Sequence, residues 1–201
     1  SYQDSVLAPQ ALFEAALYCE RRGPAYFAEA VRVHNDLVGR YPVDGLFFSA
    51  RMKQGDLLRQ MNNFAGAQII YENLINSFPE HPRRYVAELS RADCMLALAK
   101  DNNAQLVDVA LALERLIDIP NLPADFQAEV GYKWGFALMQ RSALGEALEV
   151  FSLISSRFLL DSENALHLGP TGRYWMSRAL LELGTLLENE NEFAEARRVY
   201  R

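Results

Sequence analysis

Residues 55–71 read GDLLRQMNNFAGAQIIY, and this stretch decides the fold because the chain repeats its pattern. Around Ala67, a glycine stands twelve residues before (Gly55), a leucine nine before (Leu58), a large apolar residue three before (Phe64) and an aromatic four after (Tyr71). Around Ala147 the same places hold Gly135, Leu138, Leu144 and Phe151; around Ala196 they hold Gly184, Leu187, Phe193 and Tyr200. Residue classes recurring in register mark a structural repeat. The glycines fall inside helical patterns, where Gly costs about 1 kcal/mol relative to Ala. A breaker kept at one place in three units points to a close helix crossing that a side chain would block. The anchor alanine lies on the following helix and is expected to face the glycine. The aromatic four residues on shares the alanine's face and is expected to fill the gap toward the next pair. Such a helix hairpin cannot bury its apolar side alone, so hairpins must stack.

Two further units are degenerate. In the first, Ala30 is the anchor, preceded by Phe27. A turn around Gly23-Pro24 two residues longer puts Ala16 in the small-residue place and Cys19 in the large one, with His34 where the aromatic should be. In the third, Ala110 is taken as anchor, with Val107 before it and Glu114 in place of the ring. Pro42, Pro79, Pro82, Pro120 and Pro123 fall between pairs, where helices end. The pattern predicts helices near 8–22, 25–40, 44–61, 64–78, 83–100, 104–118, 124–141, 144–158, 172–189 and 192–201. The connector 161–172 contains the turn cluster Gly169-Pro170-Thr171-Gly172. No segment alternates with period two, so no sheet is expected. The fold class is all-α: one repeat domain over 1–201, with units near 8–42, 44–82, 83–123, 124–160 and 172–201.

The segments Gly55 to Pro79 and Leu180 to Arg201 resemble tetratricopeptide repeats in their small residue, alanine, aromatic and, in the first segment, closing Pro79. The resemblance implies a right-handed solenoid of about five antiparallel helix pairs, the last incomplete, that binds a partner polypeptide on its concave face. The endings Arg40-Tyr41-Pro42 and Ser77-Phe78-Pro79-Glu80-His81-Pro82 resemble bacterial cell-envelope repeats of the Tol-Pal and outer-membrane-assembly type. That resemblance favours the periplasm or cell envelope over the cytoplasm.

In such stacks the first helix of each pair lines the concave face, and residues outside the packing register are the binding candidates. In the fourth unit these are Glu129, Tyr132, Phe136 and Met139, an aromatic and methionine cluster of the kind that serves protein contacts. A wider core that buries them is the competing reading. The second unit offers Ser49, Met52, Asp56 and Arg59; the fifth offers Arg178, Leu181, Thr185 and Glu188; the first offers Phe13, Leu17 and Glu20. Some members of the family clamp a C-terminal carboxylate with Lys and Asn from successive first helices. Phe13, Leu17, Met52 and Asp56 fill those places here, which argues against such a clamp.

Bulk composition narrows the rest. Of 201 residues half are hydrophobic and 11% aromatic, which excludes a disordered chain. The net charge is -6 and the arginines are interspersed with acids, so no bare nucleic-acid partner is expected. No apolar run is long enough to span a membrane. His34, His81 and His167 have no His or Cys neighbour at metal-ligand spacing, and no cofactor is expected. There is no phosphate loop, dinucleotide fingerprint or nucleophile elbow, so no motif argues for an enzyme. The alternatives to a binding scaffold are a structural module that self-associates through its solenoid ends, or the regulatory domain of a larger enzyme. The last residues, Tyr200-Arg201, fall within the second helix of the fifth unit, and an uncapped solenoid end exposes core. The expectation is a fragment of a longer protein, able to form a homo-oligomer through that end.

Overall fold

The computed structural model describes residues 5–43, 45–100, 102–160 and 166–200, and all but the side chain of Leu160 among them. The helices are α1 (Ala8–Arg21), α2 (Phe27–Arg40), α3 (Phe47–Gln60), α4 (Phe64–Ser77), α5 (Arg84–Ala99), α6 (Asn103–Ile117), α7 (Ala124–Gln140), α8 (Leu144–Ser155), α9 (Pro170–Asn189) and α10 (Phe193–Val199). Short helical turns at Pro24–Tyr26 and Ser156–Leu160 complete them; there is no strand among the described residues. Expectation and observation differ by at most three residues at any helix end. Two compact units divide the chain, Ser1–Leu98 and Ala99–Arg201. In the first, α1 packs on α2, α2 on α3 and α3 on α4. In the second, α7 touches α6, α8 and α9, while α9 also packs on α8 and α10.

The hairpin turn explains much of the repeat. Asn62, Ser142 and Asn191 each take left-handed backbone, with φ of 59°, 63° and 63°, five residues before the anchor alanine. The next N–H then reaches back to the carbonyl of the register leucine: Asn63 to Leu58, Ala143 to Leu138 and Glu192 to Leu187. That is the glycine-type helix stop built on Asn or Ser, which satisfies carbonyls the helix end would orphan. The second helix then begins, its fourth residue being Ala67, Ala147 or Ala196. Asn63 also caps its helix by accepting from Gly66 N.

The same count corrects the third unit. The fourth residue of α6 is Leu106, whose N–H bonds Asn102 O as the anchor alanines do in their units. Leu106 is therefore the structural anchor, and Ala110, four residues on, stands where the ring should be. Glu114 lies outside the pattern and is exposed. Anchors at 30, 67, 106, 147 and 196 are thus 37, 39, 41 and 49 residues apart. In the first unit Ala16, Cys19 and Ala30 are buried as expected, and the Pro24–Tyr26 turn supplies the extra length.

The glycines have a different partner from the one expected. A Cβ built on Gly55 would stand 2.5 Å from Tyr71 Cε1, and one on Gly135 2.5 Å from Phe151 Cε1. A Cβ on Gly184 would meet the Tyr200 ring. Each aromatic therefore lies against the glycine of its own hairpin, its ring nearer to that glycine than the anchor alanine is. Tyr71 also joins the cluster of Ala87 and Cys94, so there the ring additionally serves the next pair. Leucine at Gly135 is expected to destabilise the protein by about 1–3 kcal/mol. Gly184→Leu should cost less, because Tyr200 is half-exposed and can swing aside whereas Phe151 is fully buried. Thermal melts of the two variants check this; unchanged melting of Gly135→Leu would refute the register.

Candidate protein-binding face

The face in question is presented by the first helix of each pair. In the unit of residues 1–98, α1 and α3 are joined by Lys53 Nζ to Glu20 Oε1 at 3.0 Å. Beside that pair lies an open groove lined by Leu17, Glu20, Arg21, Phe27, Lys53 and Gln60. Arg59 reaches Asp93 on α5 at 2.7 Å, and Asp56 accepts the Tyr71 hydroxyl at 2.7 Å. Burial, reinforced by the Asp56 carboxylate, pushes the Tyr71 phenol up, so it stays a donor. Asp56 and Arg59 are half-buried and engaged. Met52 departs from expectation: it is buried with Phe48, Ala67 and Tyr71 because α3 is covered on several sides. Glu20 Oε2 is buried without a hydrogen-bond partner, and so are both ring nitrogens of His34. His34 lies edge-on to Phe13, with ring centres 5.5 Å apart. Burial lowers its pKa to about 4, against the opposing effect of Glu20 and with a small push from Lys53.

In the unit of residues 99–201 the aromatics form one connected group. Tyr132 on α7 has its ring centre 6.0 Å from Phe136, 6.3 Å from Phe151 and 5.2 Å from Trp175 on α9. It is only 4% exposed, which corrects the expectation that it stands free. The cause is geometric: α7 has three helical neighbours, so a second face of it is covered. Burial pushes the Tyr132 phenol up. Phe136 and Met139 are half-buried. Glu129 pairs with Lys133, whose Nζ stands 5.3 Å from the Trp175 ring centre.

What stays open is a row on α9. Tyr174 is 52% exposed, Leu181 is 60% exposed, and Arg178 between them is exposed too. At spacings of four and three they share one helix face. The Arg178 guanidinium stands 4.9 Å over the Tyr132 ring and donates to Tyr174 Oη at 3.2 Å. Thr185 and Glu188 continue exposed along the helix, Thr185 Oγ1 donating to Leu181 O. Arg178 and Leu181 were legible from the register. Tyr174 was not, although its place one turn before Arg178 was the available signal. Lys53 and Trp175 were missed because their partners lie on other helices.

Other motifs have structural work. Gly169 N donates to Asp125 Oδ1 at 2.6 Å, and a side chain at Gly172 would run into Asp125 and Leu168. The Gly-Pro-Thr-Gly cluster is the start of α9, with Pro170 at the first helical position that suits it. Residues 161–165 of the preceding connector lie outside the described residues. Among the described residues no three His, Cys, Asp or Glu side chains could hold a metal ion, and Cys19 and Cys94 are free and buried. No described helix is long and apolar enough to cross a membrane.

Residues 49–81, α3 with α4, match the model of the tetratricopeptide repeat. No curated protein matches the chain. Among solved structures it is similar to MamA 41-end from Desulfovibrio magneticus RS-1, at 17% identity and a TM-score of 0.69, over 96% of this chain and 90% of that one. It is also similar to the nearly identical TPR-like repeats of a Podosopora anserina putative kinesin light chain, at 15% identity and a TM-score of 0.67, over 95% and 90% of the two chains. At these identities the likeness is one of fold: an all-helical, tetratricopeptide-like stack of helix pairs.

Proposed function

We propose that the protein is an interaction scaffold that holds a partner polypeptide on the concave face formed by its first helices. A tetratricopeptide-like fold generally mediates protein–protein interaction, and the exposed row Tyr174, Arg178 and Leu181 on α9 carries the reading for this chain. Tyr and Arg are the residue types that dominate binding energy at protein interfaces. Buried Tyr132, with half-buried Phe136 and Trp175 packed against it, forms the support beneath the row. In the other unit, Glu20, Lys53 and Gln60 border the open groove on the same helix type.

The test is capture from the lysate of the source organism, identified by mass spectrometry. Leu181→Glu and Leu153→Glu are compared with the wild-type chain, since Leu153, on the second helix α8, is similarly exposed at 46%. The reading expects a partner that Leu181→Glu loses and Leu153→Glu keeps. Loss by Leu153→Glu alone would discard the face. The endings near Pro42 and Pro79 carry the further proposal of a bacterial cell-envelope setting, which fractionation of the source cells tests.

A second reading, self-association, is favoured by α10, where Phe193 is 54% and Tyr200 46% exposed. A molar mass by light scattering that rises with concentration, and stays flat in Phe193→Glu, would select it.

A further inference from the structure

We infer that the row on α9 recognises an extended peptide segment in which a carboxylate side chain and a large apolar one stand two residues apart on one face, the carboxylate going to Arg178 and the apolar group to Leu181. This rests on the scaffold reading and names the chemistry of the partner. Arg178 is exposed and makes no ion pair among the described residues. Its guanidinium is nonetheless held in place, over the Tyr132 ring and against the Tyr174 hydroxyl. A guanidinium already ordered loses little freedom on binding, and its planar fork matches a carboxylate with two parallel hydrogen bonds. The other cation of the group, Lys133, is occupied by Glu129. Arg178 thus offers a positive charge without an ion pair among the described residues, on a protein of net charge -6, with Glu182 one turn further along the helix. That balance suits a singly charged carboxylate and disfavours a doubly charged phosphate. One turn on, Leu181 offers an apolar surface open to solvent, and Tyr174 flanks the guanidinium on the other side. The two subsites are three residues apart on a helix, about 5–6 Å between Cβ atoms, close to the roughly 6.5–7 Å between side chains two residues apart, which share one face of an extended peptide.

The experiment is selection of a phage-displayed library of random twelve-residue peptides on the whole chain, followed by fluorescence anisotropy of the enriched peptides. Arg178→Ala, Arg178→Lys and Leu181→Ala are tested alongside; both sites are exposed, and melting curves confirm that the variants fold. The expected result is a consensus with Asp or Glu two residues from Leu, Ile, Phe or Trp. Affinity should fall about tenfold or more in Arg178→Ala and less in Arg178→Lys, which keeps the charge and loses the fork. Leu181→Ala should also weaken binding. Phosphorylating a Ser placed at the acidic position should not restore more affinity than Glu does. Peptides that bind equally well to wild type and Arg178→Ala, or a consensus without acids, would overturn the inference while leaving a peptide-binding scaffold. No enriched peptide at all would overturn it too. The scaffold reading would then fall only if Leu181→Glu also kept every captured partner.

Discussion

Replacing Phe151 by alanine is expected to cost about 3–5 kcal/mol, the range for emptying a fully buried phenyl site. The ring is 0% exposed, lies on Gly135 and faces Tyr132 at 6.3 Å. Its loss therefore opens a cavity beneath the aromatic group that supports the α9 row. Chemical denaturation of wild type and variant gives the value. The glycine provides an internal control. Gly135→Ala places a methyl 2.5 Å from the Phe151 ring and should destabilise the wild-type protein. In the Phe151→Ala background that methyl enters vacated space, so the same change should be neutral or stabilising. A double-mutant cycle reads this coupling directly. Additive effects of the two changes would mean that ring and glycine do not meet.

Acid should act through His34. Its pKa falls from 6.5 to about 4 on folding because burial disfavours the imidazolium. The unfolded chain then binds the proton more readily than the folded one. The contribution to stability is complete above the unfolded value and is lost as pH falls from 6.5 toward 4. The full difference is about 3 kcal/mol, with about 2 kcal/mol lost by pH 5. The groups facing it are Glu20, which opposes the shift, and Lys53, which adds to it. Phe at this position restores the aromatic found at Tyr71, Phe151 and Tyr200 and carries no proton. His34→Phe should therefore be more stable than wild type, by a margin that widens between pH 7 and pH 5. Urea denaturation of both proteins across that range measures the margin. Parallel profiles would show that His34 is not buried neutral. Both ring nitrogens lack partners, which is a further cost that Phe removes.

The helices and their turns were legible because the same local physics is written three times. Leu58, Leu138 and Leu187 mark where a left-handed residue stops each first helix, and the alanines mark where the second begins. The glycine was legible as a crossing but not its partner. Periodicity places Tyr71 and Phe151 on a face without saying which way a ring leans. The third anchor was misplaced because Ala110 resembles the other anchors in type, whereas Leu106 holds their position. Tyr132 and Met52 were read as surface because a helical wheel assumes cover on one side. Helix α7 touches three neighbours, and the number of neighbours is a property of the stack rather than of any one repeat. Leu181 and Arg178 were legible for the opposite reason: the face of α9 that carries them stays open.

Photocross-linking inside cells reads directly which face of the protein meets a partner. A benzophenone amino acid is placed at position 181 on α9 or at position 153 on α8, both exposed leucines in the native chain. Adducts with another polypeptide are expected from position 181, reduced by Arg178→Ala, and none with the same polypeptide from position 153. Adducts from position 153 with none from 181 would show that the first-helix face is not where this protein binds.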